Sequence, residues 1–371
     1  MATQAMFEPF TLPNGVTLKN RVLMAPMTNY AAQENGEVSD AELAYYAERS
    51  GGVSAVITAC ANVTADGQGF PNEFGAHRDD LVPSLKRLAK TIQDKGAKAI
   101  LQIFHAGRMA PPELVGGQTV SASAVAPVRE GAMTPRALEA EEVEAIIEAF
   151  GQATRRAMEA GFDGVEIHGA NTYLIQQFFS PHSNRREDKW GGSLEKRLAF
   201  PLAVVDAVEA VAKQDPSFIV GYRFSPEEIE NPGITLDDTM RLVDELAKKD
   251  LDYLHVSVMD FFAGSIRDEN ATTSPITLIQ ERVGEQVPVI GVGSLHTADE
   301  VEQGLAVVPM IALGRELIME PKWVEKVEAG DLASIRTELD PEAQAELVVP
   351  DALWAGITSR PGWFPIKQTS K

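Results

Sequence analysis

Short apolar segments alternate with amphipathic segments along most of the chain. Eight of the apolar segments have the length of a strand, at 22–27, 53–59, 99–104, 164–168, 218–224, 252–257, 287–292 and 308–313. Each is apolar on both of its alternating faces, which is typical of parallel strands covered by helices. The pattern therefore predicts eight buried parallel strands.

A helical pattern follows each predicted strand. The clearest one covers 141–160, where Ile147 and Phe150 belong to a single apolar stripe. Glutamates crowd its first turns, two arginines come late, and Gly161 provides a C-terminal stop, an order that suits the helix dipole. Similar patterns lie near 40–50, 80–94, 195–212, 236–249, 275–284, 297–303 and 321–329. Pro201 should either kink its helix or lie in the first turn.

Eight strand–helix units in series predict the α/β class and, within it, a single (β/α)8 TIM barrel. The alternative is a doubly wound open sheet, but the count of eight and the lack of a composition break favour the barrel. We expect residues 1–330 to form the barrel. Residues 331–371 should form a C-terminal extension that packs on the barrel or on a neighbouring subunit.

Composition narrows the classes of function. The chain has 371 residues, with 33 Lys and Arg against 54 Asp and Glu and a net charge of −21, which argues against nucleic acid or an anionic membrane as a partner. The single cysteine, Cys60, excludes a disulfide framework and a cysteine-based zinc or iron–sulfur site. We expect no metal. No secretory signal or membrane-span pattern occurs, so we expect a cytoplasmic protein.

Polar residues lie where the predicted strands end. Gln102, His168 and Arg223 are at or near the ends of the third, fourth and fifth strands, and Thr28 follows the first. Catalytic residues of such barrels lie at the C-terminal ends of the strands, so we expect these side chains to converge on one face. The segment 105–140 is long for a strand–helix connection, which is typical of a lid or a binding loop.

The segments after the seventh and eighth strands, GVGSLHT and LGRELI, have features of a phosphate site. Gly293 and Ser294 offer backbone N–H groups, and Gly314 precedes Arg315, whose guanidinium is a fork of donors. Either segment alone is more typical of a tight turn. Two of them at the adjacent positions where barrels bind phosphate favour an anion site. Neither segment carries a nucleotide-specific motif.

The stretch GVEIHGANTYLIQQFFSP groups His168, Asn171 and Tyr173 at the end of the fourth strand. Donors three residues apart can converge on one oxygen and stabilise charge that develops on a carbonyl. A phenol two residues further along can deliver a proton to an adjacent atom. The alternative is a satisfied polar loop with Tyr173 in the core, but three such residues at one strand end favour the functional interpretation.

The chain resembles the old yellow enzyme family, which consists of FMN-dependent NAD(P)H oxidoreductases and ene-reductases, and in particular its compact bacterial type. The segments that carry the resemblance are LKNRVLMAPMTNY (18–30), AILQIFHAGR (99–108), GFDGVEIHGANTYLIQQFFSPHSNRREDKWGGSLEKR (161–197), GYRFSP (221–226) and LGRELIMEP (313–321). They follow one another in order over roughly residues 6–330 and imply a TIM barrel with FMN over its C-terminal face.

The resemblance implies a set of cofactor-binding residues. They are Pro26, Met27, Thr28, Ala59, Gln102, Arg223, Gly293, Ser294, Gly314 and Arg315. In this arrangement Thr28 lies beside flavin O4, Ala59 packs close to the ring system, and Gln102 bonds the pyrimidine edge. Arg223 lies by N1 and O2, and the last four residues of the set hold the phosphate.

The resemblance also implies the substrate site. His168 and Asn171 bind the substrate carbonyl oxygen, and Tyr173 is the catalytic proton donor. Tyr30 lines the substrate pocket. Three phenylalanines are further aromatic candidates for that pocket, namely Phe104, Phe261 and Phe262.

The implied activity is ene-reduction. NADH or NADPH reduces FMN, flavin N5 passes a hydride to the β-carbon of an enone, enal, maleimide or quinone, and Tyr173 protonates the α-carbon. The alternative activities on the same scaffold are those of an NAD(P)H oxidase and of a nitro-compound or xenobiotic reductase. A further alternative is a barrel that binds flavin without catalysis.

The sequence departs from the compact bacterial pattern at two places. Thr28 stands where many members carry cysteine, and Cys60 is expected after the second strand, so we expect no tuning of the flavin potential by a thiol. In that branch an arginine near the C-terminus reaches the active site of a neighbouring subunit in a homo-oligomer. Arg360 either does this or covers its own subunit.

Overall fold

A computed structural model describes residues 5–367. Eight parallel strands form a closed barrel, in which each strand pairs with its sequence neighbours and the last pairs with the first. They are β1 (Val22–Met24), β2 (Ala55–Asn62), β3 (Lys98–Phe104), β4 (Gly164–Gly169), β5 (Ile219–Phe224), β6 (Tyr253–Ser257), β7 (Val289–Val292) and β8 (Met310–Leu313). The (β/α)8 barrel is confirmed, and the open sheet is not adopted.

Helices surround the barrel in every strand–strand connection from β1 to β8. They are α1 (Asp40–Arg49), α2 (Val82–Gln93), α3 (Ala140–Glu159), α4 (Leu174–Phe179), α5 (Leu194–Arg197), α6 (Ala199–Ala212), α7 (Leu236–Leu246), α8 (Pro275–Val283) and α9 (Ala298–Leu305). After β8 come α10 (Arg315–Met319), α11 (Trp323–Glu328) and α12 (Asp351–Ser359). Capping boxes begin α1, α3, α7 and α9, which explains why these helices start where they do.

The helix expected at 195–212 is divided into α5 and α6 at Leu198. Pro201 is the third residue of α6 and has no N–H to donate back to Arg197, so the hydrogen-bond ladder is interrupted at this point. Pro201 therefore lies in a first turn, one of the two outcomes that the sequence allowed. Gly161 has a φ of +82° directly after α3, in agreement with its predicted role as a stop.

The barrel interior is filled from the bottom by apolar side chains. Leu23, Ile57, Ile100, Ile219 and Ile290 belong to one cluster inside the barrel. Leu12 and Leu18, from the hairpin of strands Phe10–Thr11 and Thr17–Leu18, join the same cluster. The hairpin therefore closes the N-terminal end, and polar residues are left for the opposite end.

A β-bulge interrupts β2 shortly before its C-terminal end. Ile57 pairs with Ile100, but the next pairing joins Cys60 to Gln102, so β2 contains one more residue than β3 between these points. Ile57 belongs to the interior cluster, and strict alternation would place Ala59 inside as well. The extra residue turns Ala59 towards α1, where its N–H donates to Tyr46 Oη at 2.7 Å, and turns Cys60 inward.

The residues after α11 run back along the barrel of the same chain. The fully buried Arg49 of α1 donates to Leu347 O at 2.6 Å, and Leu339 pairs with Ile366 in an isolated bridge. The boundary predicted at residue 330 stays a prediction, and residues 1–4 and 368–371 of the two predicted segments lie outside the described residues. Within residues 5–367, no helix has the length and apolar character needed to cross a membrane.

Candidate active site

A cavity of about 350 Å³ opens at the C-terminal end of the barrel, within the range of about 300–1,000 Å³ that is usual for small-molecule sites. Every barrel strand or the loop after it contributes to its wall. The predicted residues that line it are Pro26, Met27, Thr28, Tyr30, Gln102, His168, Asn171, Tyr173, Arg223, Gly293, Ser294, Gly314 and Arg315. The structure thus brings together predicted residues from the ends of six of the eight strands.

Ala59 is the predicted site residue that the structure leaves out of the cavity wall. The bulge in β2 places Cys60 there instead, inside β2 rather than after it as the sequence suggested. Burial raises the pKa of the Cys60 thiol well above its ordinary value. The thiol is therefore protonated at neutral pH. Sequence patterns alone do not reveal a bulge.

The fourth strand presents His168 to the cavity in one protonation state. Burial, and after it the charge of Arg223, lowers the pKa of His168 well below its ordinary value, so the imidazole is neutral. The Ala170 N–H donates to His168 Nδ1 at 3.3 Å, which makes Nδ1 the acceptor. The proton is therefore on Nε2, and His168 is a neutral hydrogen-bond donor.

Asn171 is held by contacts on both sides. Its backbone N–H donates to Ser225 Oγ at 3.0 Å, and its side-chain Nδ2 donates to Ser257 Oγ at 3.1 Å. Nδ2 carries two hydrogens, so one remains for a ligand. Ser257 also accepts from Arg223 Nη2 at 3.1 Å and thus connects Asn171 to Arg223. The sequence analysis missed Ser257, although its position at the end of β6 could have indicated it.

Tyr173 is the residue before α4, and its ring is enclosed by aromatic neighbours. The ring lies edge-on to His168, with centroids 5.0 Å apart, and to Phe104, at 5.1 Å. Burial, with smaller contributions from Cys60 and Glu73, raises the pKa of the phenol above its ordinary value. Tyr173 therefore keeps its proton at neutral pH and is available as a general acid.

The predicted aromatic wall is only partly present. Tyr30 lines the cavity, but Phe104 stacks behind His168 at 6.0 Å between ring centroids. Phe261 is fully buried under β7, where its ring fills the space that a Gly291 side chain would take. Phe262 is 44% exposed and does not contribute to the wall.

The loops after β7 and β8 form one end of the cavity. Gly293 has a φ of +152°, and a Cβ atom there would lie 2.6 Å from Phe261 N, so only glycine fits. Arg315 donates from Nη2 to Ser294 Oγ at 2.5 Å and from Nη1 to Trp363 O at 3.0 Å. The guanidinium is thereby fixed beside the glycine turn, an arrangement that suits an anion such as phosphate.

The structure adds wall residues that the sequence analysis did not propose. Met259, His296, Glu316 and Trp363 all line the cavity. His296 Nδ1 and Glu316 Oε2 are 2.9 Å apart. Trp363 belongs to the C-terminal extension, so no pattern within the barrel sequence could have located it. The long segment 105–140 supplies no residue to the wall of this cavity, but it lines a neighbouring cavity that also touches Tyr173. Its role as a lid or binding loop stays a prediction.

Comparison with known proteins identifies the family of this chain. The model of the NADH:flavin oxidoreductase / NADH oxidase family matches residues 5–333. The chain is 50% identical over 368 residues to the probable NADH-dependent flavin oxidoreductase YqiG of Bacillus subtilis (strain 168), with 98% of each chain covered. It is 46% identical over 363 residues to the NADH:fumarate oxidoreductase of Klebsiella pneumoniae (strain 342).

The extent of these matches differs. The Klebsiella match covers 95% of the present chain but 39% of the longer relative. A solved structure of the old yellow enzyme homologue from Zymomonas mobilis has a TM-score of 0.79 and 24% identity, covering 94% of this chain and 98% of that one, which shows the fold. The chain therefore belongs to the NADH:flavin oxidoreductase / NADH oxidase family, the old yellow enzyme family, and is an NAD(P)H-dependent oxidoreductase that uses FMN.

Proposed function

We propose that this protein is an ene-reductase, which reduces the activated C=C bond of α,β-unsaturated carbonyl compounds. The observation that carries the proposal is the convergence of His168, Asn171 and Tyr173 on one cavity. Two of them are neutral donors suited to a carbonyl oxygen, and the third is a buried phenol that keeps its proton. Together the three groups can hold a carbonyl oxygen and protonate the carbon that receives no hydride.

The cavity residues fit FMN. Arg223 Nε is buried and lacks a hydrogen-bond partner among the described residues, as expected of a donor reserved for a bound group. Gln102 and Arg223 would hold the pyrimidine edge, Thr28 and Met27 the ring, and Gly293, Ser294, Gly314 and Arg315 the phosphate. When bound, FMN supplies hydride transfer from NAD(P)H to the substrate.

The protein's own contribution begins with the substrate oxygen. His168 Nε2–H and the second hydrogen of Asn171 Nδ2 would donate to the carbonyl oxygen, on which negative charge grows as the β-carbon receives a hydride. Ser257 and Ser225 hold Asn171 in place before the substrate arrives, so little reorganisation is needed. Tyr30 would close the substrate side of the cavity.

Tyr173 would complete the reaction. A hydride on the β-carbon and a proton on the α-carbon together saturate the C=C bond, and Tyr173 Oη–H would supply the proton. The raised pKa of the phenol keeps the proton available at neutral pH. The aromatic neighbours Phe70, Phe104 and His168 hold the ring.

The name of the Klebsiella relative supports an activated C=C bond as the target, because fumarate has a double bond conjugated to carboxyl groups. The wall of the present cavity favours an uncharged carbonyl compound. Among the described residues its only arginines or lysines are Arg223 and Arg315, and both are committed to FMN in this proposal. A substrate carboxylate would therefore lack a cationic partner.

An NAD(P)H oxidase or a nitro-compound reductase is the second candidate, since the matched family model also names NADH oxidases. Reaction with oxygen alone does not distinguish an ene-reductase from this second candidate. The ratio of the rates with an enone and with oxygen does, because only the enone uses His168, Asn171 and Tyr173. A protein that binds flavin without catalysis would show neither rate.

Tyr173→Phe tests the proposal directly. We expect reoxidation of the reduced enzyme by 2-cyclohexenone to slow by about 100- to 10,000-fold, because a positioned general acid is lost. Reduction by NAD(P)H should stay nearly unchanged. Stopped-flow absorbance measures the two half-reactions separately. Tyr222→Phe, at a buried tyrosine of β5 outside the cavity, is the matched control, and equal slowing of both half-reactions in Tyr173→Phe would contradict the assignment.

A further inference from the structure

A buried polar network lies one layer below the cavity, where the mechanism above assigns no role. Its centre is Glu166 of β4, which is fully buried and does not line the cavity. Glu166 Oε1 accepts from Gln102 Nε2 at 2.8 Å. Glu166 Oε2 accepts from Tyr253 Oη at 3.1 Å and is 2.9 Å from His255 Nδ1. Strands β3, β4 and β6 thus meet at one carboxylate.

Strand alternation explains why this layer supports the cavity. Glu166 is two residues before His168, and Tyr253 and His255 precede Ser257 at the same spacing, so all of them face the interior. A Cβ atom on Gly221 would lie 2.1 Å from the Tyr253 ring, and glycine at this position therefore leaves room for that ring. The network occupies a space that apolar side chains fill lower in the barrel.

The net charge of Glu166, His255 and Arg223 together is close to zero only when Glu166 is ionised. Burial by itself would raise the pKa of Glu166, but the hydrogen bond from His255 Nδ1, the charge of Arg223 and the hydrogen bond from Gln102 outweigh it and hold the pKa below its ordinary value. Burial lowers the pKa of His255, and its Nε2 has no partner among the described residues, so the ring is neutral with its proton on Nδ1. The charges that remain are those of Glu166 and Arg223, which offset each other.

The carboxylate determines how Gln102 faces the cavity. An ionised carboxylate only accepts hydrogen bonds, so Gln102 must turn Nε2 towards Glu166. Its Oε1 is then directed away from Glu166 and is available as an acceptor for the N–H of a flavin pyrimidine ring. A neutral amide in place of Glu166 could donate or accept, and the orientation of Gln102 would no longer be defined.

We propose that Glu166 is a positioning residue that orients Gln102, offsets the charge of Arg223 and thereby sets the reduction potential of bound FMN. Positive charge beside the flavin favours the reduced, more negative form. An anion behind Arg223 weakens that preference. Removing the negative charge of Glu166 should therefore raise the reduction potential of bound FMN. Removing a hydrogen-bond donor to the Glu166 carboxylate should lower that potential.

Two substitutions test this with opposite expected signs. Glu166→Gln removes the negative charge and should shift the FMN midpoint potential to a more positive value. It should also weaken FMN binding by about tenfold, because the orientation of one hydrogen bond at the site is lost. Tyr253→Phe removes one donor to Glu166 and should shift the potential to a more negative value. The readouts are spectroelectrochemical titration of the holoenzyme and the FMN dissociation constant, and neither requires an enone.

The control is Tyr222→Phe, whose hydroxyl lies beside Gly169 rather than at Glu166. It should leave the potential unchanged. Shifts of the same sign in Glu166→Gln and Tyr253→Phe, or no shift in either, would overturn the proposal. If Glu166→Gln fails to fold, Tyr253→Phe decides alone, because an unchanged or more positive potential in that variant contradicts the assigned role. Failure of the ene-reductase assignment would leave these potentials unaffected.

Discussion

At the residue scale, three residues of the cavity wall have a backbone conformation that residues other than glycine rarely adopt. Positive φ angles occur at Tyr30 (56°), Asn171 (55°) and Ser294 (50°), all in the cavity wall. Each such residue costs about 1–3 kcal/mol and persists only where its surroundings fix it. For Asn171 the fixing contacts are Ser225 and Ser257. These contacts therefore hold Asn171 in its strained conformation before a substrate binds.

Ligand binding tests His168 and Asn171 as the proposed donors to the substrate carbonyl oxygen. A phenolate oxygen resembles the charge that develops on a substrate carbonyl, so His168→Ala or Asn171→Ala should raise the dissociation constant of a phenol ligand by about 10- to 100-fold. Spectral titration of the FMN-bound enzyme measures it. His77→Ala, at a histidine near Asn62 outside the cavity, is the control. Unchanged phenol affinity in both site variants would exclude them as the carbonyl site.

The sequence located residues of the cavity wall where a strand end carries several polar groups, and it misplaced one where the local backbone is irregular. His168, Asn171 and Tyr173 were identifiable because their chemistry is unusual at one strand end. The resemblance implied a place for Ala59 beside the flavin ring, but the bulge in β2 brings Cys60 into the cavity wall instead. A bulge depends on pairing with β3, which the sequence of β2 does not show.

At the element scale, the barrel strands and most helices follow from hydrophobic period and capping residues. All eight predicted strands are present, with ends that differ by a few residues. The single helix expected at 195–212 is two helices, since one proline removes a donor from the ladder. The loop geometry after β7 was less predictable, because Gly293 packs against a distant part of the chain, where the Phe261 N–H donates to Gly293 O at 3.0 Å.

Gly293→Ala should damage the phosphate end of the cavity. The new Cβ would lie 2.6 Å from Phe261 N at a φ of +152°, so the turn must move. We expect weaker FMN binding by about tenfold or more and a lower unfolding temperature of the apoprotein. Gly330→Ala is the matched control: its φ is +75° and nothing lies within 4 Å of the added Cβ. It should cost about 1–3 kcal/mol of stability without affecting FMN affinity.

Equal FMN affinity in Gly293→Ala and wild type would show that the turn after β7 does not hold the phosphate. Equal loss of affinity in both variants would show that the change follows general destabilisation and not the local geometry.

At the scale of the whole molecule, the C-terminal extension and the barrel form one cavity. Trp363 accepts a hydrogen bond from Arg315 at 3.0 Å, and Phe364 beside it is buried. The Arg360 guanidinium lies 5.2 Å from the centre of the Trp363 ring in the same chain. Whether Arg360 also reaches a neighbouring subunit stays a prediction. The sequence of the extension gave no period or motif that would have placed Trp363 at the cavity.

The most direct test of FMN-dependent ene-reduction is an anaerobic visible spectrum of the purified protein, followed by addition of NADH or NADPH and then 2-cyclohexenone. We expect an oxidised flavin spectrum that bleaches on addition of the nicotinamide and recovers on addition of the enone. Bleaching without recovery would contradict ene-reduction and favour the oxidase or nitro-reductase alternative. A colourless protein that does not take up FMN would contradict the roles given to Gln102, Arg223 and Arg315.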